Sequence, residues 1–379
     1  MKTLIICHQY LDGHGGGVYA ARAYINAFAA LSERTTLLYP YAPGHEAEGI
    51  VAGVEMVPVG YDKPKALKGL DLLRGRIHRF YDVAREYADA SRYDVVVFSG
   101  SLCSFKIIDA FKAAGIKCIV LHHNYEVEYF RDNTPAALRP TMLHWVRKCE
   151  GEAVRKSDLN LTLTSADARL LSEHYSERAR FRVSGVFEPF ARELPLAQER
   201  AFEGKYLITG NLSAVQTERS LARWFSEYFP SLQRSEGFTS LTLAGKNPGP
   251  GLLSLCAGLG VEVVANPETM DGVLSAADCY LCPVSLGGGL KLRNMDGLRF
   301  GLPVITHRVS ARGYEAFLGS AMFSYGDVEG FEAALKEIRK HPLPKAEIRS
   351  LYEKEFSWES GLARLGEMVK EYFTPLPSN

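Results

Sequence analysis

The sequence predicts an α/β protein of two doubly wound domains, each built on its own parallel sheet. Three observations carry this. Short apolar runs alternate with longer amphipathic runs along most of the 379 residues, the pattern of successive strand–helix units. The alternation falls into two series, parted by a polar stretch at 188–204 that contains Pro189 and Pro195. Glycine-rich loops follow strand candidates in both series, at 12–17 and 287–289, and ligands of doubly wound sheets bind at the carboxyl ends of strands.

The first series places strands at 3–7, 36–39, 54–58, 94–98, 118–121 and 159–163. Helical spacing separates most of them, at 18–31, 77–90, 105–114, 139–155 and 166–174. The second series places strands at 206–209, 240–244, 261–264, 279–282 and 304–306, with helices at 219–232, 252–259, 270–276 and 291–300. This length suits two domains, each able to bury a core. The expected division is 1–188 and 205–355, with 356–379 as a terminal helix.

Composition narrows the function classes. The 44 basic and 44 acidic residues cancel, so no global field favours nucleic acid. The first apolar run is too short for a signal peptide, and no run reaches membrane-spanning length. Seven scattered cysteines form no framework and read as unpaired thiols in a reducing, cytoplasmic compartment. Cys279 and Cys282 have the spacing of half a zinc site, but within a strand they point to opposite faces. No metal is expected.

The most informative stretch is LCPVSLGGGLKLRNMDGLRFGLPV, residues 281–304. An apolar strand runs into Gly287, Gly288 and Gly289, and a helix follows carrying Lys291, Arg293 and Asp296. Glycines let the backbone approach a ligand closely. A helix N-terminus presents N–H groups and a positive dipole end suited to phosphate. Two cations add to that field, and a carboxylate one turn on can accept hydrogen bonds from ribose hydroxyls. The plainer reading is an Arg293–Asp296 ion pair at i,i+3 on a surface helix.

Several segments, in order, resemble retaining glycosyltransferases of the GT-B fold, most closely the family 4 group (glycosyl transferases group 1). The loop 14–17 comes first. His122-His123-Asn124-Tyr125-Glu126 is similar to the family's His-Asn-x-Glu segment. EGEAVRKSDLNLTLTSAD (150–167) and Ser184-Gly185-Val186 follow. In the second domain ITGNLSAVQTERSLARWFSEYFPSL resembles the usual opening strand and helix. LTLAGKNP comes next, then VEVVANPETMDGVLSAADCYLCPVS, and GGGLKLRNMDGLRFGLPVITHRVSARGYE resembles the donor-binding signature. Phe356-Ser357-Trp358 opens a helix that in this fold commonly returns to the first domain. The chain also departs from the pattern. Many members carry two Glu eight apart; here the first is Gly288 and the second the shorter Asp296. A frequent Arg in the opening loop is Asn211, and no residue of AVQTERS stands as the usual phosphate-binding Lys.

The resemblance implies a crevice between the domains. It implies transfer of a sugar from a nucleoside diphosphate of UDP or GDP type to a hydroxyl acceptor, with retention and without a required metal or cofactor. The first domain would bind acceptor and the second donor. Gly16, Gly17, Gly210, Asn211, Gly287, Gly288, Gly289, Lys291 and Arg293 would surround the nucleotide and its diphosphate, with Lys246 a further candidate and Asp296 on the ribose. His123, or His122 in its place, would meet the donor sugar at the catalytic centre, unless it is a structural histidine. Glu126 would orient the acceptor or the loop, or cap local backbone groups. The basic segment 63–79 sets six cations against Asp71 among leucines. It reads either as a peripheral contact with an anionic membrane at its inner face, beside a glycan or lipid-linked glycan acceptor, or as a solvated surface. Bacterial surface polysaccharide or glycolipid assembly would be the setting. A nucleotide-sugar 2-epimerase and a non-catalytic nucleotide- or glycan-binding relative are the competing readings.

Overall fold

The structure is a computed structural model, and it describes residues 1–13, 15–60, 80–191, 193, 199–340 and 342–373. The basic segment 63–79 lies outside the described residues, as do His14 and much of the polar stretch at 192–198. The chain divides into two compact units, Met1–Ala191 with Phe356–Asn379, and Arg192–Glu355.

The first unit holds a seven-stranded sheet of β1 (Lys2–Cys7), β2 (Arg34–Tyr41), β3 (Val54–Gly60), β4 (Val95–Ser99), β5 (Lys117–His122), β6 (Leu159–Thr162) and β7 (Phe181–Val183), in the order β3-β2-β1-β4-β5-β6-β7. The second unit holds β8 (Lys205–Asn211), β9 (Ser240–Lys246), β10 (Glu262–Ala265), β11 (Cys279–Cys282), β12 (Val304–His307) and β13 (Met322–Tyr325), in the order β10-β9-β8-β11-β12-β13. Every pairing between named strands is parallel. In both sheets the strand order reverses once, between β1 and β4 and between β8 and β11. That reversal is the topological switch point at which ligands of doubly wound sheets bind.

The local sequence explains these elements. Central strands such as VVVFS in β4 are apolar at every position and fully buried, as strands covered by helices on both faces must be. Leu4, Ile6, Val96, Phe98, Phe111 and Val120 fill the first core. Ile208, Leu221, Trp224, Phe225, Phe229 and Phe331 fill the second. Each large side chain so buried contributes about 1.5–3 kcal/mol.

The periodicity over 219–232 predicts one helix, but the chain forms two, Val215–Glu227 and Phe229–Arg234. Pro230 lacks the N–H an unbroken helix would need there. β7 and β13 are absent from the sequence expectation. β7 is three half-exposed residues, and β13, MFSY, puts a serine in its apolar run.

The terminal helix Trp358–Phe373 packs within the first unit. A Cβ on its Gly361 would lie 2.0 Å from the Phe187 side chain, so only glycine permits this approach. Arg364 Nε donates to the Ser184 carbonyl at 2.8 Å. Among the described residues no helix is long and apolar enough to cross a membrane.

Candidate functional site

The second switch point lies between the carboxyl ends of β8 and β11. Gly210 and Asn211 end β8, and the loop after β11 carries Gly287, Gly288 and Gly289. Gly287 and Gly289 have φ of +81° and +70°, left-handed values that disfavour any side chain. A Cβ at Gly287 would come within 2.7 Å of the Gln216 amide. The loop is anchored on both sides. Ser285 N–H donates to Ser220 Oγ at 3.1 Å, and Ser310 Oγ donates to the Val284 carbonyl at 2.6 Å. Thr209 and Tyr280 hydroxyls meet at 2.7 Å and tie the two strands together at this end.

The helix expected near Lys291 begins at Arg293 and ends at Arg299. Leu292 and Lys291 lie in the turn before it, and Lys291 Nζ donates to the Gly288 carbonyl at 2.8 Å. The ammonium is thus held at the triple-glycine loop. Arg293 points the other way. Its Nη2 donates to Thr217 Oγ1 at 2.5 Å, and its Nη1 is buried without a hydrogen-bond partner among the described residues. The guanidinium lies against Gly210, where a Cβ would stand 2.6 Å from its Cζ, and Gly210 has φ of +144°. Arg293 makes no ion pair among the described residues. A half-buried cation without a carboxylate partner is costly unless an anion joins it.

The plainer reading, an Arg293–Asp296 pair, is not what forms. Asp296 pairs instead with Arg299, Nη2 to Oδ1 at 3.1 Å. Asn211 is turned into its own loop, where its Oδ1 accepts from Ser213 N–H and Oγ–H at 3.2 and 2.9 Å. Lys246 ends β9 in register with Asn211 and is exposed; its carbonyl accepts the Leu212 N–H at 2.9 Å. These two sites therefore supply loop structure on the β8–β9 side. Arg293 and Lys291 supply charge on the β11 side.

The first switch point lies between the carboxyl ends of β1 and β4, with β5 beside it. Gly16 opens the long helix Gly16–Leu31. A Cβ on Gly17 would stand 2.5 Å from Gln9 Nε2, and Gln9 Oε1 is buried without a partner among the described residues. His8 Nδ1 lies 2.5 Å from the Ser99 carbonyl. A carbonyl only accepts, so the Nδ1 carries the proton and Nε2 is left with the lone pair. Gly100, at φ +106°, makes room for this ring, since a Cβ there would lie 2.5 Å from it.

The two histidines after β5 separate clearly. His122 is buried and bonds Asn160 Oδ1 through Nε2 at 2.8 Å, within the sheet. His123 is half-buried, turns to the β4 side, and meets Ser99 Oγ through Nε2 at 3.0 Å. Its ring centre is 6.4 Å from that of His8. Burial, with help from His8 and His122, lowers the His123 pKa to about 3, and burial lowers His122 to about 4. Both rings are neutral near pH 7, hydrogen-bond partners rather than proton donors of the imidazolium kind.

Glu126 opens the helix Glu126–Asn133 and is buried. The Asn124 amide, oriented nitrogen-first, donates to its two carboxylate oxygens at 3.2 and 3.3 Å. Two further buried acids hold the same turn. Glu150 Oε1 accepts the Glu126 N–H at 2.8 Å, and Asp167 Oδ1 accepts the Tyr125 N–H at 2.9 Å. Together they cap a helix whose own N-cap residue, Tyr125, offers no side-chain bond. Burial and then the Asp167 charge push the Glu126 pKa up to about 8, and burial pushes Glu150 upward too.

Thr217, Gln216, His8, Gln9, Ser99, Glu150 and Asp167 join these constellations without having been singled out in the sequence. A signal existed for Glu150. It lies on the buried stripe Leu143, Val146, Ala153, Val154 of the helix Arg139–Lys156, where an acid is out of place. His8 and Gln9 stand just past a buried strand, a position that also could have marked them.

Residues 203–341, which lie within the second unit, match the family model described as glycosyl transferases group 1. No curated protein matches the chain in sequence. The chain is similar in structure to the apo form of the lipopolysaccharide outer core galactosyltransferase WaaB, at 11% identity and a TM-score of 0.66 over 97% of this chain and 99% of that one. It is similar to a sucrose-phosphate synthase from Thermosynechococcus elongatus, at 14% identity and a TM-score of 0.71 over 98% and 99%. It is similar to HepE of Anabaena in complex with UDP, at 12% identity and a TM-score of 0.62 over 98% and 100%. At these identities the likeness is one of fold, and the fold is GT-B.

Proposed function

We propose that this protein transfers a sugar from a nucleoside-diphosphate sugar, of UDP or GDP type, to a hydroxyl acceptor with retention of configuration. The observation that carries the reading is Arg293. A half-buried guanidinium with no ion pair among the described residues lies against Gly210 at the switch point, beside a glycine loop where Lys291 is held. A diphosphate is the ligand that such a group of donors suits.

The chemistry follows from charge. As the bond from the anomeric carbon to the diphosphate breaks, its electron pair moves to the leaving oxygen. Lys291, Arg293 and the amides of 287–289 stabilise that growing charge. The acceptor oxygen forms its bond on the face the diphosphate leaves, which is what retention requires, and its proton passes to the departing diphosphate oxygen. Neutral His123 and His8 are hydrogen-bond partners for sugar hydroxyls. Glu126 holds the loop that presents His123, and Asp296 lies one turn along the donor helix for the ribose. The first unit binds acceptor, the second donor, and the step needs no resident metal or cofactor. The setting is assembly of a bacterial surface polysaccharide or glycolipid, at the cytoplasmic side of the membrane. The group 1 domain match and the GT-B fold support this reading.

A thermal-shift screen with UDP, GDP and their sugars, followed by product analysis, tests it. The expected result is stabilisation by one diphosphate class and acceptor-dependent release of that diphosphate. Epimerised donor formed without acceptor would turn the reading to a 2-epimerase. Binding with neither transfer nor hydrolysis would leave a non-catalytic relative.

A further inference from the structure

The loop that carries His123 is held by residues far away in the chain. The helix Glu126–Asn133 must satisfy the N–H groups of its first turn. A Ser, Thr, Asp or Asn at the N-cap usually does this locally, but Tyr125 stands there and offers no side-chain bond. Glu150, from the helix Arg139–Lys156, accepts the Glu126 N–H through Oε1 at 2.8 Å. Asp167, from the helix Ser165–Tyr175, accepts the Tyr125 N–H through Oδ1 at 2.9 Å. Both acids are fully buried. The second oxygen of each is bonded too. Tyr175 O–H donates to Glu150 Oε2 at 2.8 Å, and Thr164 O–H donates to Asp167 Oδ2 at 2.5 Å.

A local cap fixes only the start of its own helix. These caps fix it against two other helices, which pack on β5 and β6. The three helices share a small core of Tyr125, Val127, Leu143, Val146, Val154 and Leu171. Tyr125 also stacks on His174, with ring centres 5.3 Å apart and planes 5° from parallel. The N-cap side chain is thus an aromatic anchor. On the other side the His123 ring is tied to β4, Nε2 to Ser99 Oγ at 3.0 Å. The arrangement is costly. Burial raises the Glu150 pKa, a penalty that a small polar residue at position 125 would avoid. Departures of this kind from local rules collect at functional sites.

We infer that Glu150 and Asp167 are positioning residues for the transfer reaction. They set the loop 123–126 against the first sheet, and through it the place of the His123 imidazole, without touching the sugar themselves. This role rests on the reading of His123 as the residue at the donor sugar.

Steady-state kinetics of the full chain, with histidine NMR of the His123 ring assigned through His123→Ala, tests it. Glu150→Leu keeps the volume and removes the acceptor. Turnover should fall roughly 100-fold, the scale of a misplacement of about 1 Å, while donor KM and UDP or GDP affinity stay at parent values. Glu150→Gln keeps an acceptor for the Glu126 N–H and a partner for Tyr175, and should restore turnover. Asp167→Leu and Asp167→Asn should repeat this pair. Tyr175→Phe should lower turnover roughly 2–10-fold. The His123 signals should move in Glu150→Leu and overlay the parent's in Glu150→Gln. A folded Glu150→Leu with parent turnover and parent His123 signals would overturn the inference. So would a Glu150→Gln as impaired as Glu150→Leu, or a loss of nucleotide affinity that matches the loss of turnover. If Glu150→Leu does not fold, unchanged turnover and His123 signals in Tyr175→Phe would overturn it equally. A parent without transfer activity would count against the function proposed above, and the His123 signals, read without substrate, would still decide whether these acids place the ring.

Discussion

At the switch point of the second sheet, Gly210, Gly287, Lys291 and Arg293 gather open backbone and positive charge. At the switch point of the first, His8, Ser99 and His123 gather neutral rings and a hydroxyl, with three buried acids behind them. The strand order around the two points is the same over six strands. The difference teaches that the topology supplies only a place. Side chains arriving from loops and neighbouring helices decide whether that place presents positive charge or neutral hydrogen-bonding groups.

The sharpest way to break the contrast is His123→Ala. Turnover should fall on the order of 100-fold if the ring meets the reacting sugar, with UDP or GDP affinity unchanged by titration calorimetry. A matching loss of nucleotide affinity would move His123 out of the sugar role. Arg293→Ala is the counterpart in the second unit. It should weaken the nucleoside diphosphate by roughly 10–150-fold and leave the bare nucleoside unaffected. Arg293→Lys should recover only part of this, because an ammonium cannot span Thr217 and a diphosphate as the planar guanidinium does. Equal binding of every ligand by parent and Arg293→Ala would remove the donor site from this loop.

The buried acids make a pH test specific to the first unit. Glu126 keeps its proton in the fold to about pH 8, against an ordinary value of 4.5. Folding therefore takes up a proton between those values, and this group's contribution is lost as pH rises from about 4.5 to about 8. His122 and His123, with lowered values, act in the opposite sense. Their contribution is complete above about 6.5 and is lost as pH falls toward 4 and 3. Glu126→Gln should flatten the alkaline slope and gain roughly 1–3 kcal/mol at pH 8 in urea unfolding. An unchanged slope would mean that Glu126 is ionised in the folded state. The smallest effect is expected at Asp296. Its pairing with Arg299 leaves it shared between protein and ligand, so Asp296→Ala should weaken nucleotide by about 1 kcal/mol.

How much of this was legible in the sequence varies residue by residue. The Gly287–Gly289 loop was readable because glycine's conformational freedom is a property of the residue itself, and two of the three adopt left-handed backbone. Lys291 and Arg293 were readable as cations near that loop, but not as cations aimed in different directions. The plainer reading paired Asp296 with Arg293, whereas it pairs with Arg299, since positions i−3 and i+3 offer the acid an arginine on either side. Which one it takes depends on Thr217, 76 residues away from Arg293 in sequence. For His122 and His123, neighbours at the end of a strand, alternation sends the two rings to different sides, and the sequence leaves open which of them faces a ligand. Asn160 on β6 settles that.

By itself the sequence determined the two strand–helix series, the parallel sheets they make, and the glycine loop at the end of one strand. These follow from periodicity and backbone freedom, which act over a few residues. The tertiary structure alone decided that Arg293 lies against Gly210, bonded to Thr217 and without an ion pair among the described residues, and that His123 leans on Ser99. It also decided that Glu126 is buried beside Glu150 and Asp167. Those outcomes rest on desolvation and on hydrogen bonds between residues tens of positions apart. Neither quantity exists until the chain has brought the strands' carboxyl ends together.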